Sequence, residues 1–409
     1  MKICLITNLY HPHIIGGAEI YAGRISEGLS EKEQVIVITS RPFEGIKSLF
    51  ARVDICGKTK IFSFYPLNFY HVFSAKRKPA FLKALWHILD IWNLHSYLVF
   101  RSILKKEKPD IIHTHNLNGF SLSICRAIKK SSAGWVHTAH DFSLLCPLAN
   151  LRCGREKTFL CSSNPISVCG IYRSLKKIFF DNRQDLVIFP SVSCRSVFQG
   201  KGFFLKQENR VMPYCVSIPE VSHTDHGLDF EVLYAGQLVE HKGVGLLLEV
   251  FKKAAAKDWR LHIAGDGQYR SSLEMSAGQD KRIVFHGKLS GQALWELYCR
   301  ADVTVVPSLW PEVLGIVILE SLACSTPVIA SDIGGIPEVV KDKYNGLLVN
   351  PGDPRALKDA LELMASDRQL TKEMRTNALR SSGKFRVKEH ISKLEGIYES
   401  VLDRPRGSE

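Results

Sequence analysis

The sequence predicts an α/β protein with two Rossmann-like domains. The chain of 409 residues is too long for a single domain of ordinary size and suits two domains of about 150 to 220 residues each. Short β-branched apolar runs alternate with segments of helical periodicity, which is typical of parallel sheets covered by helices. The alternation occurs twice, and the polar stretch PEVSHTDHGLD at 219–229 separates the two series. We therefore expect one domain over residues 1–219 and another over 220–385.

The expected strands of the first series are ICLIT, QVIVIT, DIIHT, WVHTAH and LVIFP. Those of the second series are EVLYAG, RLHIAG, IVFHG, VTVVP and PVIAS. Ligands of open parallel sheets bind beyond the carboxyl ends of the strands. The residues that follow these strands are therefore the candidate site residues.

The composition is that of a folded soluble chain, with 45% hydrophobic and 23% charged residues. The opening MKICLITNLYHPHIIGGAE has too short an apolar run for a signal peptide, and we interpret it as a first strand. No stretch approaches the roughly 18 uninterrupted apolar residues of a membrane span. Eleven cysteines without a secretory signal indicate a reducing compartment and no disulfides. A cytoplasmic protein is expected.

The turn after VTVVP is built to receive an anion. We expect a helix to begin near Leu314 or Gly315, and the free N–H groups at its start suit a diphosphate. Glu312 and Glu320 flank this turn, about 12 Å apart if the segment is helical throughout, and could bind the hydroxyls of a sugar and a ribose. The alternative is an ordinary first-turn acid and a solvated helix residue. Against it, Glu320 lies in an apolar helix, where an unpaired carboxylate is costly.

Several motifs carry a resemblance to one family. The E-x7-E pair in PSLWPEVLGIVILESLA, with YAGQLVEHKG, IAGDGQYRSSLE, GGIPEVV and NGLLVNPGD, resembles the C-terminal half of retaining family-4 glycosyltransferases of the GT-B fold. GGAE, HTHN and HTAHDFSLLCP extend the resemblance to the first half. It implies two Rossmann-like domains facing across a cleft, with residues 386–409 forming a helix that returns to the N-terminal domain.

The resemblance also implies an activity. The protein would transfer a sugar, with retention and without a metal or other cofactor, from a UDP-, GDP- or ADP-sugar to a saccharide or lipid-linked acceptor. The C-terminal domain would bind the donor, the N-terminal domain the acceptor, and closure would exclude water. Cell-surface polysaccharide or glycolipid synthesis is the expected context. The rivals are a nucleotide-sugar epimerase of GT-B build and a non-catalytic nucleotide-sugar or saccharide binding protein.

Residue roles follow from the same resemblance. Glu320 would hold the ribose hydroxyls and Glu312 would lie near the donor sugar. Lys242 matches a diphosphate-binding lysine, but Gln237 replaces the family arginine, which leaves one fixed charge fewer against the leaving group. Gln237 can still donate hydrogen bonds to a phosphate. The family mechanism is front-face attack, in which a donor phosphate oxygen takes the acceptor proton, so no protein general base is assigned.

The expected donor-binding residues are Gly16, Gly17, Gly236, Gln237, Lys242, Gly265, Gly267, Glu312, Val313, Leu314, Gly315, Ile316 and Glu320. Gly16 and Gly17 permit close approach of a ligand, or form a simple strand-to-helix turn. Gly265 and Gly267 give a G-x-G after a strand, but Arg270 stands where a dinucleotide fingerprint has glycine. A turn near the donor and a purely structural turn both remain open.

Histidines complete the expected site. His140 follows a strand where the family places a histidine facing the donor sugar, so His140, Glu312 and Lys242 are assigned to the catalytic centre. An imidazole there could hydrogen-bond the sugar or the acceptor. His113, His115 and Asn116 are expected to line the acceptor pocket. The two histidines lie two apart on a strand end and point the same way, but a metal would need a third ligand.

Four cysteines form a cluster, namely Cys146, Cys153, Cys161 and Cys169. Their x6, x7 and x7 spacings lack the C-x2-C knuckle of usual zinc sites. A flexible acceptor loop is the default interpretation, and a structural metal site is the alternative. No metal is assigned to the protein.

Residues 41–108 are strongly basic, with 13 Lys and Arg against 4 Asp and Glu. Aromatic residues interleave with these charges, and a second such run is IYRSLKKIFFDNRQD. This mixture suits an anionic membrane surface, so a peripheral position on the inner membrane face is a hypothesis. The alternative is a packed domain with a solvated basic rim. No nucleic-acid-binding motif is present, and no nucleic acid partner is expected.

Overall fold

The structure is a computed structural model that describes residues 1–151, 167–180, 183–217, 229–254 and 256–404. The chain divides into two compact units, one formed by Met1–Met212 with Val387–Glu409 and the other by Pro213–Arg386. The boundary lies before the expected 219/220 because Val216 already belongs to the second unit. Its N–H donates to the carbonyl of Phe385 at 2.8 Å, and it bridges to Arg386.

The first unit contains an eight-stranded sheet of order β3-β4-β2-β1-β5-β6-β7-β8, in which only the β3–β4 pair is antiparallel. Its strands are β1 (Lys2–Ile6), β2 (Gln34–Ser40), β3 (Arg52–Cys56), β4 (Thr59–Phe64), β5 (Ile111–Thr114), β6 (Gly134–Thr138), β7 (Leu186–Phe189) and β8 (Glu208–Val211). Its helices up to the boundary are α1 (Gly17–Leu29), α2 (Ala80–Ile91), α3 (Leu94–Glu107), α4 (Ser123–Lys129), α5 (Val168–Phe180) and α6 (Val192–Gly200), with short 3-10 helices at Ile46–Leu49 and Val72–Arg77. Strands β1, β5 and β7 are buried on both faces, which explains their continuous apolar runs.

The second unit contains a parallel six-stranded sheet of order β11-β10-β9-β12-β13-β14. Its strands are β9 (Phe230–Ala235), β10 (Trp259–Ala264), β11 (Ile283–Gly287), β12 (Val303–Val306), β13 (Val328–Ser331) and β14 (Gly346–Val349). Its helices are α7 (Val244–Lys253), α8 (Arg270–Ala277), α9 (Gln292–Arg300), α10 (Ile316–Ala323), α11 (Ile336–Val339), α12 (Pro354–Ser366) and α13 (Arg368–Ser382), with 3-10 turns at Glu240–Lys242 and Gly383–Phe385. The strand order reverses between β9 and β12, and such a switch point opens a crevice for a ligand.

The last helix, α14 (Val387–Leu402), is part of the first unit and packs on α1 and β6. Two glycines allow this close approach. A Cβ on Gly28 would lie 2.7 Å from Cγ1 of Ile391, and one on Gly134 would lie 2.6 Å from Cγ1 of Val401. The terminal helix therefore packs into the core of the first unit, although more than 170 residues separate it from the rest of that unit in the sequence. No helix in the described part of the chain has both the length and the apolarity to cross a bilayer.

Candidate active site

In the second unit, the loops that follow β9 and β12 meet at the switch point. Gly243 has a φ of 73°, and a Cβ there would lie 1.8 Å from the carbonyl oxygen of Pro307. The backbones can approach this closely only because position 243 has no side chain. The N–H of Leu309 donates to the carbonyl of His241 at 2.8 Å and joins the same two loops. Side chains on both loops therefore share one site.

Glu312 lies in an irregular turn before the helix. Helix α10 begins at Ile316, and its N-cap Gly315 has a φ of 92°. The assumption of a continuous helix from Glu312 to Glu320 is therefore wrong, and so is the axial separation drawn from it. The main chain of Glu312 is instead fixed by the GGIPEVV motif. The N–H of Gly335 donates to the Glu312 carbonyl at 2.7 Å, and a Cβ on Gly334 would lie 2.3 Å from that oxygen.

Three donors hold the carboxylate of Glu312. Its Oε1 accepts from Nζ of Lys242 at 2.6 Å, Oγ of Ser308 at 2.7 Å and Nε1 of Trp310 at 3.0 Å. Burial would raise the pKa of this carboxyl, but the Lys242 charge and the three hydrogen bonds outweigh burial and hold the pKa below its ordinary value. Oε2 accepts none of these three bonds. The group is thus an anion whose orientation is fixed through one of its two oxygens.

Lys242 is placed by an aromatic ring as well as by its ion pair. Its ammonium lies 5.3 Å from the centroid of the Trp310 ring, which also meets the ring of His241 edge-on at 5.2 Å. Its side chain keeps 26% of its surface exposed, against 7% for that of Glu312. The lysine therefore offers a partly solvated cation beside a buried carboxylate.

Glu320 is buried within α10, so the alternative of a solvated helix residue is wrong for this position. Its Oε2 accepts a hydrogen bond from the hydroxyl of Tyr298 at 3.2 Å. The carbonyl of Tyr298 accepts in turn from Oγ1 of Thr326 at 2.6 Å. Tyr298 therefore fixes the carboxylate that is expected to meet the ribose.

Four more expected donor residues, Gly236, Gln237, Gly265 and Gly267, lie in the loops after β9 and β10 of the same unit. A Cβ on Gly265 would lie 1.8 Å from the carbonyl oxygen of Gly236, and one on Gly267 would lie 2.3 Å from that of Leu238. The G-x-G therefore lets the loop after β10 pack on the loop after β9, which is a structural reason for both glycines. The hydroxyl of Tyr234 donates to the carbonyl of Gln237 at 2.8 Å.

The turn and the start of α10 hold three more residues that the sequence assigns to donor binding. The side chains of Val313, Leu314 and Ile316 are buried, with 1% to 6% of their surface exposed. Their side chains are therefore covered by the protein itself.

In the first unit, Gly16 caps α1 and Gly17 is the first residue of that helix. The N–H of Gly16 donates to Oε2 of Glu19 at 2.6 Å. Burial raises the pKa of Glu19 to about 7 against the opposing effect of the main-chain hydrogen bonds. Sequence reasoning quoted GGAE but assigned no role to this acid. An acid three residues after a glycine N-cap is the signal that could have found it.

A cavity lies at the carboxyl ends of β5 and β6. Its lining residues are His115, Asn116, Leu117, Asn118, Leu122, His137, Ala139, His140, Asp141, Ser143, Leu144, Lys176 and Phe180. Two of these form a pair, since Nδ1 of His115 lies 2.9 Å from Nε2 of His140. Burial lowers the pKa of His115 to about 3, and burial together with His115 lowers the pKa of His140 well below its ordinary value. Both rings are therefore neutral at pH 7.

One nitrogen of this pair is buried without a hydrogen-bond partner in the described residues. It is Nε2 of His115. Asn116 is oriented beside it, because its Nδ2 donates to Oδ2 of Asp141 at 2.9 Å. Neutral imidazoles and an amide of this kind suit hydroxyl groups.

His113 does not line this cavity. Its ring lies 4.2 Å from that of His115, as the strand spacing predicts, but Nδ1 meets the hydroxyl of Tyr398 and Nε2 meets Oγ1 of Thr138, both at 2.7 Å. The ring is fully buried and links β5 to α14 and β6. We therefore exclude His113 from the proposed acceptor pocket, because both its nitrogens are already bonded within the unit.

The structure describes two of the four clustered cysteines. Cys146 is buried and Cys169 is half-buried, while Cys153 and Cys161 lie outside the described residues. Over the ranges that the structure describes, no three His, Cys, Asp or Glu side chains are arranged to hold a metal ion.

Comparison with known proteins gives matches in both units. The model "Glycosyl transferases group 1" matches residues 222–381, and the model "Glycosyltransferase Family 4" matches residues 15–204. An "uncharacterized 42.6 kDa protein in cps region" of Klebsiella pneumoniae is 26% identical over 83% of this chain and 87% of its own length.

Two solved structures share the fold over nearly the whole chain. Sucrose-phosphate synthase from Thermosynechococcus elongatus superposes with a TM-score of 0.77 at 19% identity, covering 98% of this chain and 99% of its own. Anabaena HepE in complex with UDP-glucose superposes with a TM-score of 0.69 at 19% identity, covering 98% and 100%. Both likenesses are at the level of fold.

Proposed function

The chain belongs to the family-4 glycosyltransferases of the GT-B fold, and from this premise we propose that it transfers a sugar, with retention, from a nucleotide-diphosphate sugar to a saccharide or lipid-linked acceptor. The observation that carries the proposal is the pairing of Lys242 with Glu312 at the switch point of the second unit. Glu320, held by Tyr298, supplies the second acid.

The donor binds in the second unit. Lys242 and the N–H groups at the start of α10 meet the diphosphate, and Gln237 adds a neutral donor. Glu320 accepts from the ribose, while Oε2 of Glu312 accepts from a sugar hydroxyl. The HepE structure named for its complex with UDP-glucose supports a nucleotide sugar of this kind.

In the transfer, the bond between the anomeric carbon and the diphosphate oxygen breaks as the acceptor oxygen bonds to the same face of the sugar. The acceptor proton passes to the leaving phosphate oxygen. Lys242 and the α10 amides stabilise the negative charge that develops on the diphosphate, so the proposal requires no metal. His140, neutral at pH 7, hydrogen-bonds the sugar or the acceptor rather than taking the proton.

The acceptor binds in the first unit at the cavity beside His115 and Asn116. A hydroxyl of the acceptor can donate to Nε2 of His115 or bond to the amide of Asn116. The Klebsiella relative named for its cps region supports a role in the synthesis of a cell-surface polysaccharide or glycolipid.

The test is to incubate the protein with a panel of UDP-, GDP- and ADP-sugars and a membrane lipid extract. Transfer of label to lipid or saccharide supports the proposal. Free epimerised sugar nucleotide would indicate an epimerase, and stabilisation by a donor without turnover would indicate a binding protein. Glu320→Ala and Lys242→Ala should each weaken donor binding strongly, with exposed Lys253→Ala as control. Near-normal affinity in both variants would refute the site.

A further inference from the structure

Strand β3 is an open edge of the eight-stranded sheet in the first unit. Its one strand neighbour in the described part of the chain is β4, and the five residue pairs between them contain no register shift. Four of its five residues are exposed, and Val53 and Ile55 keep 46% and 78% of their surface. The strand contains neither the proline nor the bulge that protects many sheet edges. Its outer N–H and C=O groups can therefore pair with another strand.

The two faces of β3 differ in character. Val53 and Ile55 lie on one face, together with Ala51 just before the strand, whereas Arg52 and Asp54 lie on the other. On the charged face, Nε of Arg52 donates to Oδ1 of Asp54 at 3.0 Å. The two side chains still keep 61% and 44% of their surface exposed. One face of the edge is thus apolar, and the other carries one charge of each sign.

These side chains fit an antiparallel copy of the same strand in one register. With Val53 opposite Val53 of a second copy, Arg52 of each copy lies opposite Asp54 of the other. Ala51 then lies opposite Ile55, so the apolar faces also match. Opposite charges directly across an antiparallel pair stabilise it, and like charges destabilise it.

Neighbouring registers are disfavoured by the same side chains. A pairing centred on Arg52 places two arginines opposite each other, and one centred on Asp54 places two aspartates opposite each other. A slip by one residue sets each charge against an apolar side chain, because it interchanges the faces of one strand. The charge pattern therefore selects the register centred on Val53.

We propose that two copies of the chain form a two-fold symmetric dimer by pairing their β3 strands antiparallel about Val53. The pairing joins two eight-stranded sheets into one continuous sheet. It also closes both exposed edges, because the same surface serves on each copy. Two short strands make a small interface, so we expect a reversible dimer.

The dimer leaves each copy with its own site. The two-fold axis stands normal to the sheet and reverses the direction of every strand. The cavities at the carboxyl ends of β5 and β6 therefore face opposite ways in the two copies. The dimer thus goes beyond the proposed function and does not depend on it.

The first experiment is sedimentation velocity of the full chain over a wide range of protein concentration. We expect the parent chain to dimerise as its concentration rises. Arg52→Asp and Asp54→Arg should each remain monomeric, because each change places like charges opposite one another across the interface. An equal mixture of the two variants should dimerise again, because every charge then lies opposite one of the other sign. Both side chains are largely exposed, so the fold should tolerate either change.

The mixture separates pairing between copies from a role of the ion pair within one chain. Both variants lose the bond between positions 52 and 54, so damage to the fold would leave the mixture monomeric as well. The proposal is overturned by a parent chain that is monomeric at every concentration. It is also overturned by single variants that dimerise as the parent does, or by a mixture that stays monomeric.

The second experiment tests the register by cross-linking. Val53→Cys and Ile55→Cys are each made with Cys56→Ser, which removes the exposed thiol of the same strand, and are oxidised with copper phenanthroline. In the proposed register the Cα atoms of the two Val53 residues lie about 4.5 to 5.5 Å apart, within the range of a disulfide. The two Ile55 residues lie four positions out of register, about 13 Å apart along the strands, which no disulfide spans.

The reference is Cys56→Ser alone. On a non-reducing gel, Val53→Cys should give a cross-linked dimer. Ile55→Cys should give no more dimer than the reference, although its position is the more exposed of the two. Equal cross-linking at both positions would overturn the register, and no cross-linking of Val53→Cys would overturn the pairing itself.

Discussion

Nζ of Lys242 lies 2.6 Å from Oε1 of Glu312 and joins the loops after β9 and β12. Ser308 and Trp310 bond the same carboxylate oxygen, so the carboxylate has other anchors if the lysine moves to a ligand. Lys242 is the more exposed partner of the pair, and its long alkyl chain can change conformation. We infer that the pair keeps the site charge-balanced until a diphosphate competes for the ammonium.

Lys242→Ala should weaken both the fold and donor binding. It leaves the buried Glu312 without its cation, which should cost about 1 to 3 kcal/mol of unfolding free energy. Affinity for UDP should fall about tenfold or more, because a charge-assisted contact to phosphate is lost. Urea denaturation and calorimetric titration measure the two effects. Lys253→Ala, which breaks an ion pair exposed by 71% and 57%, should change stability by less than about 1 kcal/mol, and an equal effect in both variants would contradict the prediction.

Trp310→Phe should impair sugar transfer more than nucleotide binding. Phenylalanine keeps an aromatic ring near Lys242 but cannot donate to Glu312, a loss of about 1 kcal/mol. Because Glu312 is expected to contact the sugar, we expect a lower kcat with a sugar nucleotide and a nearly unchanged Kd for UDP. Trp92→Phe, on the exposed end of α2, is the control. A change in the UDP affinity with an unchanged kcat would show that Trp310 acts on the phosphates instead.

Glu19→Gln should change how stability depends on pH. The folded pKa of Glu19, about 7, exceeds its ordinary value of 4.5, so the folded state binds this proton more tightly than the unfolded state. Its contribution to stability is therefore lost as the pH rises from 4.5 through 7. The glutamine keeps an acceptor for Gly16 and does not ionise. Relative to the parent chain, the variant should gain about 2 to 4 kcal/mol between pH 4.5 and 8, measured by urea denaturation.

The matched control for this change is Glu27→Gln, at an exposed position of the same helix. The unfolding free energy of each variant is compared with that of the parent chain at the same pH. The titration of the buried histidines is common to all three chains and therefore cancels. If the two variants followed the same pH dependence, Glu19 would not be the titrating group.

The sequence-based prediction found the strands that form the two parallel cores. All ten expected runs are strands. Nine of them are buried along nearly their whole length, which leaves continuous apolar runs in the sequence, whereas the edge strand β11 is only partly buried. The prediction missed β3, β4, β8 and β14. The residues of β8, ENRV, are mostly polar, and β3 is an exposed antiparallel edge, so neither shows the pattern of a buried strand. The expected domain boundary followed composition, whereas the observed one follows the pairing of Val216 with Arg386.

In the candidate site, too, the sequence indicates the residues but not the contacts that hold them. The E-x7-E spacing and the YAGQLVEHKG loop single out Glu312, Glu320 and Lys242 as candidates, because these positions are set by short segments after strands. Their supporting contacts depend on tertiary geometry that no local pattern contains. Tyr298 reaches Glu320 from another helix, and Tyr398 reaches His113 across 285 residues. The partners of a buried polar group are fixed only when distant elements pack.

Gln237→Arg should strengthen donor binding. The main-chain carbonyl of Gln237 accepts from the hydroxyl of Tyr234 at 2.8 Å, and this bond does not depend on which side chain stands at position 237. The residue is partly exposed, which leaves room for a guanidinium near the site of Lys242. A second cation facing the diphosphate should raise the affinity for UDP about three- to tenfold at low salt, and the gain should shrink as salt screens it.

Gln237→Met separates this charge effect from side-chain size. It removes the amide donor without adding charge, and the affinity for UDP should fall. Calorimetric titration of both variants at two salt concentrations gives the comparison. If Gln237→Arg abolished sugar transfer while the protein stayed folded, the diphosphate would have to bind in an arrangement that excludes a cation at this position. The role assigned to Lys242 would then have to be reconsidered, because the same anion could not lie beside both residues.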